Sequence, residues 1–170
     1  MEDRYLFRGK RIDNGEWTEG FLFMRRYAHN AEPFEAYIIQ DAYEQLGVGV
    51  GKWNYGEHSV LISPLTIKEI DDGFGHYRVD LKTICQCTGL KDKNGKLIFE
   101  NDILSGHIDD EFPEDETRKR VMWHENGWWT NEQGCDDCEE LDDFDSENFE
   151  VIGNMIDNPE LLKGVSYDGE

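Results

Sequence analysis

The sequence contains no apolar run that approaches the roughly 18 residues needed for a membrane-spanning helix. It also begins without a charged-then-apolar leader, so export through a leader is not expected. No repeat with a period of about 20–50 residues is visible, which argues against solenoids and propellers. These absences predict a cytoplasmic protein that does not span or bind a membrane.

Positive charge is scarce. The 170 residues include 17 Lys and Arg against 38 Asp and Glu, giving a net charge of −21. The imbalance is greatest in residues 107–170, which hold 4 basic and 21 acidic residues. Such a surface repels phosphate backbones, so direct DNA or RNA binding is not expected. Two interpretations stay open: the charge only maintains solubility, or it attracts a basic protein partner.

Sequence motifs for catalysis are also missing. The glycines of Gly47–Lys52 lack the four-residue gap of a phosphate loop, and no Ser or Thr follows the lysine. The five histidines are scattered without an H-E-x-x-H pattern. Asp143–Glu147 resembles a calcium loop only in being acidic, because the required Gly and the final Glu are absent. We therefore predict no catalytic residues, no cofactor and no enzyme; a metal-dependent or cysteine enzyme is the least favoured alternative.

Four cysteines provide the one candidate metal set. They form a C-x-C pair and a C-x-x-C pair, and four thiolates could close a structural zinc site. The neighbouring carboxylates oppose thiolate formation, and C-x-C is less typical of zinc sites than C-x-x-C. Free thiols are the alternative, since disulfides are rare in a reducing cytoplasm. The weak zinc candidate comprises Cys85, Cys87, Cys135 and Cys138.

The residues that are present favour β structure. Aromatic residues make up 12% of the chain and occur in short runs broken by Gly, Asn and Asp. Turn signals at Asn14-Gly15 and Asn126-Gly127 each predict a hairpin, and Asp92-Lys93-Asn94-Gly95 predicts a tight turn. Strands are predicted at residues 4–12, 16–24, 34–40, 59–62, 77–80, 97–99, 120–124, 149–154 and from Trp128 onward.

Loops, core residues and a helix complete the prediction. Residues 105–119 are expected to form a polar connection. Residues 132–150, with ten acidic and no basic residues, are expected to form a solvated loop. Asn158 is the predicted cap of a short terminal helix that begins at Pro159. Trp17, Phe21 and Phe23 share one strand face by parity. The predicted core aromatics are Trp17, Phe99 and Trp123.

Three blocks of the chain resemble the YopX family of small phage and prophage proteins. The first block runs from Phe7-Arg8-Gly9-Lys10 through Gly15-Glu16-Trp17 to Gly20. The second contains Tyr77, Val79-Asp80 and Thr83-Ile84, then 88–96, then 98–103. The third contains Val121 and Trp123, then Val151-Ile152-Gly153-Asn154 and Asp157-Asn158-Pro159-Glu160-Leu161-Leu162.

The resemblance implies an SH3-like β-barrel in the C-terminal half and an origin in a phage or prophage. The family has no established activity, so the resemblance supplies no catalytic residues. The chain departs from the family pattern at Asn101, where Gly is usual, and at Cys87, where an aromatic residue is usual. Asn still tolerates a left-handed backbone, so the turn at Asn101 is expected to survive. The acidic residues 132–150 are not part of the pattern.

Together these observations predict a mainly β protein with a minor helical part. Residues 1–84 would form an N-terminal β-rich region and residues 85–170 an SH3-like barrel with an acidic insertion, or both would form one domain. The leading functional hypothesis is a non-catalytic interaction or assembly module in a bacterial host cell, with a protein partner or a second copy of itself. The alternative is an acidic nucleic-acid mimic that occupies a basic nucleic-acid-binding protein.

Overall fold

The computed structural model describes residues 5–25, 35–39, 76–108, 116–135 and 137–163. Within these ranges the chain is mainly β, as the sequence predicted, and it has two antiparallel sheets and one short α-helix. The described strands divide into two compact units, one within Leu6–Ile84 and the other from Cys85 onward together with Tyr5.

The N-terminal unit is a sheet of four strands paired in sequence order. Asn14-Gly15 closes the first hairpin as predicted, with Gly15 at a φ of 75°. Arg11, which follows the first strand, also forms a β-bridge with Val79 at the end of the fourth strand. The sheet therefore curls. The strands are β1 (Phe7–Lys10), β2 (Trp17–Arg25), β3 (Glu35–Ile39) and β4 (His76–Val79), followed by a 3₁₀ turn at Leu81–Thr83.

Side chains on the inner face of the curl form a small core. Ala36, Ile38 and Val79 are fully buried there. β1 and β2 contribute glycines where this packing is closest: a Cβ on Gly20 would lie 2.3 Å from the carbonyl oxygen of Ile39. The alternate residues of β2 point to the outer face of the sheet. They include Trp17, Phe21 and Phe23, which are partly exposed. The shared face is confirmed, but Trp17 lies outside this core.

The C-terminal unit contains a five-stranded antiparallel sheet and a further antiparallel pair of strands, Cys85–Lys91 and Leu97–Phe99. The pairings among its described strands leave the sheet open, so they do not confirm the SH3-like barrel. The elements are β5 (Cys85–Lys91), β6 (Leu97–Phe99), β7 (Asp102–His107), β8 (Glu116–His124), β9 (Gly127–Glu132), β10 (Glu139–Glu140), α1 (Asp143–Asn148), β11 (Phe149–Asn154) and a 3₁₀ turn at Pro159–Leu162. The strand order in the five-stranded sheet is β10-β9-β8-β7-β11.

The core of this unit collects apolar side chains from strands that are distant in sequence. Phe99 is buried in this unit, as predicted. Asn101 adopts a φ of 66°, which confirms that Asn supports the left-handed turn between β6 and β7. The buried cluster comprises Ile98, Leu104, Val121, Leu141 and Phe149, with Leu90, Trp128 and Val151 packed against it.

The Asp92 side chain hydrogen-bonds three backbone groups of the same unit. Its carboxylate is buried and accepts hydrogen bonds from the backbone N–H groups of Asn94 and Lys96 in its own turn. It also accepts one from the N–H of Val151 in β11. The turn that the sequence predicted at 92–95 is therefore also a tether between the β5–β6 hairpin and the last strand.

Several sequence predictions were wrong. Residues 132–150 are not a solvated loop: they contain β10 and α1, because Leu141 and Phe149 insert into the core. The strands β7 and β8 extend into the predicted polar connection 105–119. Asn158 makes no side-chain capping bond, although Pro159 does begin a 3₁₀ turn. The predictions for residues 40–75, including the glycine-rich segment and the strand at 59–62, lie outside the described residues.

Candidate functional site

The predicted zinc set is divided between two places in the C-terminal unit. Cys85 and Cys87 lie on β5 and are fully buried. The Cys85 sulfur is 3.6 Å from the side-chain amide nitrogen of Asn101. The Cys87 sulfur accepts a hydrogen bond from the N–H of Gly89 at 3.5 Å. Both thiols therefore sit within the packing and hydrogen bonding of their own hairpin and turn.

The other two cysteines lie in the connection between β9 and β10. Cys135 is exposed and Cys138 is partly buried. The Asn131 side chain organises this connection by donating to the carbonyl oxygens of Cys135 and Asp137. Across the ranges that the structure describes, no three His, Cys, Asp or Glu side chains are grouped to hold a metal ion. The four thiols are not brought together, so the zinc site has no structural support.

The hairpin of β8 and β9 carries an exposed aromatic cluster. Glu125 and Asn126 form its turn, and Glu125 takes the left-handed conformation with a φ of 52°. Trp123 and Trp128 are directly opposite each other, with ring centroids 5.0 Å apart and an edge-to-face angle of 81°. Trp128 packs against the core, whereas Trp123 is 50% exposed. The prediction that Trp123 is a core residue was wrong.

A second aromatic pair lies on the opposite face of the same hairpin. Trp129 is paired with Met122, and the His124 ring meets the indole edge-to-face at 5.6 Å. On its other side Trp129 is paired with Glu140 of β10. We call the side chains of Met122, Trp123, His124, Trp128 and Trp129 the hairpin surface. Its sequence signal is Trp128-Trp129, because consecutive strand residues point to opposite faces and both Trp residues cannot be in one core.

The acidic segment, residues 132–150, is anchored by one buried ion pair. Lys119 of β8 lies 3.0 Å from the Glu139 carboxylate and 3.3 Å from that of Asp145. Asp145 is buried in α1, and this desolvation raises the pKa of its carboxyl against the opposing effect of Lys119. Burial would lower the pKa of Lys119, but Glu139 and Asp145 together raise it. The sequence does not reveal this pair, because Lys119 precedes the predicted strand at 120–124.

Most other carboxylates of the acidic segment face solvent. The Asp142 side chain caps α1 by accepting hydrogen bonds from the N–H groups of Phe144 and Asp145. The remaining exposed carboxylates form no ion pairs among the described residues. They are Glu132, Asp137, Glu140, Asp143 and Glu147. The segment therefore presents an ordered negative surface and not a flexible negative tail.

The N-terminal unit contains a shallow groove of about 330 Å³. Its charged groups are already paired within that unit. Arg11 is hydrogen-bonded to Asp13 at 2.9 Å and stacks 4.0 Å from the centre of the Tyr77 ring. The bond raises the pKa of Arg11 and lowers that of Asp13. Arg78 pairs with Glu35 at 2.9 Å. The groove is lined by Ile12, Asp13, Tyr37, His76, Tyr77 and Arg78.

Two further observations concern location and relatives. Among the described residues, no helix has both the length and the apolar character needed to cross a bilayer. Comparison with curated proteins gives no match. A crystal structure of protein EF1440 from Enterococcus faecalis is similar at 24% sequence identity, over 92% of this chain and 96% of that one, with a TM-score of 0.45. That likeness is too low to carry a functional argument.

A family model described as YopX protein matches residues 53–163. The match covers the second and third blocks of the sequence, including the turn at 92–95 and the strands from β4 to β11. It covers more than half of the chain. The protein belongs to the YopX family.

Proposed function

We propose that this protein is a non-catalytic interaction module that binds another protein through the hairpin surface. The observation that carries the proposal is Trp123, an indole that is 50% exposed at the end of a hairpin. It is held edge-to-face on Trp128, which is itself packed against the core. The exposed ring is thus fixed in position before any partner binds.

A fixed exposed Trp is the kind of residue that dominates protein interfaces. Trp, Tyr and Arg are enriched among the few interface residues that cost more than about 2 kcal/mol when truncated. A rigid ring also loses little conformational entropy on binding, so more of its burial contributes to affinity. Met122, His124 and Trp129 form a second patch on the opposite face of the same hairpin.

The test is affinity capture from a bacterial host lysate with the wild-type protein and Trp123→Ala. We expect Trp123→Ala to lose the bound partner while keeping the far-UV circular dichroism of the wild type. Met24→Ala is the matched control, because Met24 is also an apolar side chain that is 50% exposed but lies in β2. If Trp123→Ala and wild type capture the same proteins in the same amounts, the hairpin surface is not the binding site. Analytical ultracentrifugation of both proteins distinguishes binding to a second copy of the chain.

A second candidate function is mimicry of nucleic acid by the acidic segment. Its specific support is that the exposed carboxylates sit on ordered elements, with α1 fixed by the Lys119–Asp145 pair. Binding to a basic nucleic-acid-binding protein should weaken steeply between low and physiological salt, since charges are screened beyond about 8 Å at 0.15 M. Replacing Asp143 and Glu147 by Asn and Gln should weaken it further, while Trp123→Ala should not. A partner retained regardless of salt would exclude mimicry.

Three finer features belong to the same proposal. An SH3-like arrangement of the C-terminal unit and an origin in a phage or prophage follow from the family resemblance. A location in the bacterial cytoplasm follows from that origin and from the sequence. All three are compatible with a small module whose only chemistry is binding. An experimental structure, the neighbouring genes and fractionation of the host cell would test them separately.

A further inference from the structure

Asn131, near the end of β9, holds the two cysteines of the connection to β10. Its Nδ2 donates to the carbonyl oxygen of Cys135 at 2.8 Å and to that of Asp137 at 3.0 Å. The same nitrogen lies 3.7 Å from the Cys138 sulfur. The N–H of Cys135 in turn donates to the carbonyl oxygen of Glu132 at 3.3 Å. Atoms of both cysteines are therefore held around one amide group.

The pairing of β9 with β10 fixes the end of this connection. Cys138 comes directly before β10, and the first residue of β10, Glu139, is paired with Thr130 of β9. The same antiparallel register places Cys138 opposite Asn131, in agreement with the contact between the sulfur and the amide. Cys135 is exposed, Cys138 is partly buried, and both thiols are free. A small reagent therefore reaches Cys135 without any opening of the structure.

The spacing of this pair suits a reversible disulfide. Cys-x-x-Cys is the arrangement that thiol–disulfide oxidoreductases use, in which two intervening residues let a tight turn close the ring. A disulfide requires Cα atoms about 4.4–6.8 Å apart, which is the span of a single turn of chain. Exposed disulfides are the labile ones that exchange with external thiols. Cys85 and Cys87 provide the contrast, because both are fully buried on one strand.

We propose that Cys135 and Cys138 form a reversible disulfide by exchange with a small-molecule disulfide. The exposed Cys135 thiolate attacks one sulfur of that molecule, breaks its S–S bond and releases one thiolate. The Cys138 thiolate then attacks the Cys135 sulfur of the mixed disulfide and releases the second. The protein gives up two protons and two electrons, and the small disulfide takes them up as two thiols. Asn131 is a positioning residue, since it holds the Cys138 sulfur beside the Cys135 backbone.

Ring closure fastens β10 to the sheet. Cys138 adjoins Glu139, which bonds Lys119 at 3.0 Å. Two residues further on, the N–H of Leu141 donates to the carbonyl oxygen of Trp128 at 2.9 Å. A crosslink in the connection removes conformations in which β10 detaches, so detachment becomes rarer. The oxidation state of the pair thus controls how long the start of the acidic segment stays paired, and this effect does not depend on the proposed function.

The test equilibrates the reduced 170-residue protein with hydroxyethyl disulfide and its thiol, mercaptoethanol. These reagents are neutral, so the negative charge around the connection does not repel them. Free thiols are then alkylated in denaturant, and every cysteine is assigned by peptide mass spectrometry. We expect Cys135 and Cys138 to be crosslinked within one protein chain and to return to free thiols in excess mercaptoethanol. Cys85 and Cys87 should be alkylated throughout.

Asn131→Ala should lower the ratio of crosslinked to free pair by about fivefold, which is the effect of one net hydrogen bond. Asn126→Ala is the matched control, because Asn126 is exposed in the turn of the same β8–β9 hairpin, and it should leave the ratio unchanged. Hydrogen exchange gives a second readout. The Leu141 amide should exchange more slowly in the crosslinked protein, whereas the Val151 amide, bonded to Asp92, should not change.

Three results would contradict the proposal. A mixed disulfide that persists at Cys135, or crosslinking between two protein chains, would show that Cys138 does not reach Cys135. Equal ratios in Asn131→Ala and wild type, with matching circular dichroism, would show that Asn131 does not position the pair. An unchanged exchange rate of the Leu141 amide after crosslinking would show that the disulfide does not fasten β10.

Discussion

The ammonium group of Lys119 lies 3.3 Å from the carboxylate of Asp145, and both side chains are almost completely buried. Lys119 comes from the middle strand of the C-terminal sheet and Asp145 from the helix of the acidic segment. The ammonium is also 5.0 Å from the centre of the Phe149 ring. One buried cation thus contacts two carboxylates of a segment whose own charges repel one another.

Replacement of Lys119 by Met should destabilise the protein strongly. Met keeps the apolar stem but leaves Asp145 as a buried charge without a cation, which typically costs about 3–5 kcal/mol. Urea unfolding at pH 7, followed by circular dichroism, measures the change in free energy. The double variant Lys119→Met with Asp145→Asn removes both charges and should recover most of the loss. If the double variant is no more stable than Lys119→Met, the uncompensated carboxylate is not the cause.

The effect of Lys119→Met should shrink as the pH falls. Burial raises the pKa of Asp145 above its unfolded value, so the folded state takes up a proton at a higher pH than the unfolded chain does. Such a carboxyl lowers stability while it is ionised and regains it as the pH falls through its folded pKa. Lys119 opposes this shift, so its removal raises the pKa of Asp145 further, and the variant regains more stability than the wild type as the pH falls. The stability difference between the two proteins should therefore decrease between pH 7 and about pH 4, the ordinary carboxyl range. A difference that is independent of pH would contradict this account.

Asp92 should be the most sensitive carboxylate of the β5–β6 turn. It accepts three backbone hydrogen bonds, two from its own turn and one from Val151. Asp92→Ala leaves these donors without their acceptor and should cost about 3 kcal/mol, at about 1–3 kcal/mol for each buried group left unsatisfied. Asp92→Asn keeps one acceptor oxygen and should cost about half as much. Thermal unfolding of both variants, beside Asn94→Ala as a control in the same turn, tests this order.

Gly106 should not tolerate a methyl group. A Cβ at this position would lie 2.7 Å from the carbonyl oxygen of Asn148 and 2.8 Å from the Phe149 ring. Gly106→Ala must displace β11 or α1 and should cost about 1–3 kcal/mol, as overpacking does elsewhere. Gly127→Ala is the matched control, because its nearest contact is the Trp129 indole nitrogen at 3.6 Å. Equal stability of the two variants in urea would show that β11 adjusts freely at this point.

Local turn chemistry explains why part of the fold could be predicted from the sequence. The residue types at Asn14-Gly15 and Asp92–Gly95 favour the observed turns. Gly95 adopts a positive φ of 83°. The strands on either side follow from alternation and β-branched or aromatic content. The signal at Asn126-Gly127 located the hairpin, but the residue with the positive φ is Glu125. The pairing register of the strands depends on how the whole sheet packs, and a four-residue turn sequence carries no information about that.

The candidate site was harder to predict because it depends on which face of a strand meets the core. The sequence places Trp123, Trp128 and Trp129 on strands, but only the pairing reveals that Trp123 ends half-exposed and that Trp129 lies beside Glu140. The acidic segment was mistaken for a loop because ten carboxylates outweigh the two apolar residues that enter the core. The acidic segment has no basic residue of its own, and its buried carboxylate is paired with Lys119 from another part of the sequence.

The four thiols should differ sharply in their reaction with a small alkylating reagent. Cys135 is exposed and Cys138 partly so, whereas Cys85 and Cys87 are fully buried in β5. Buried groups react only when the surrounding structure opens, so the β5 pair should be labelled at the rate of that opening. Mass spectrometry after timed labelling should find Cys135 modified first and the β5 pair modified only in denaturant.

The same labelling distinguishes free thiols from the zinc candidate. A closed site of four thiolates would protect Cys135 and Cys138 until a chelator removes the metal, and the chelator would also lower the melting temperature. We expect neither effect, because the structure does not bring the two pairs together. Cys135→Ser should therefore leave the labelling of Cys85 and Cys87 unchanged. Chelator-dependent labelling, with loss of stability in Cys135→Ser, would show instead that a metal joins the two pairs.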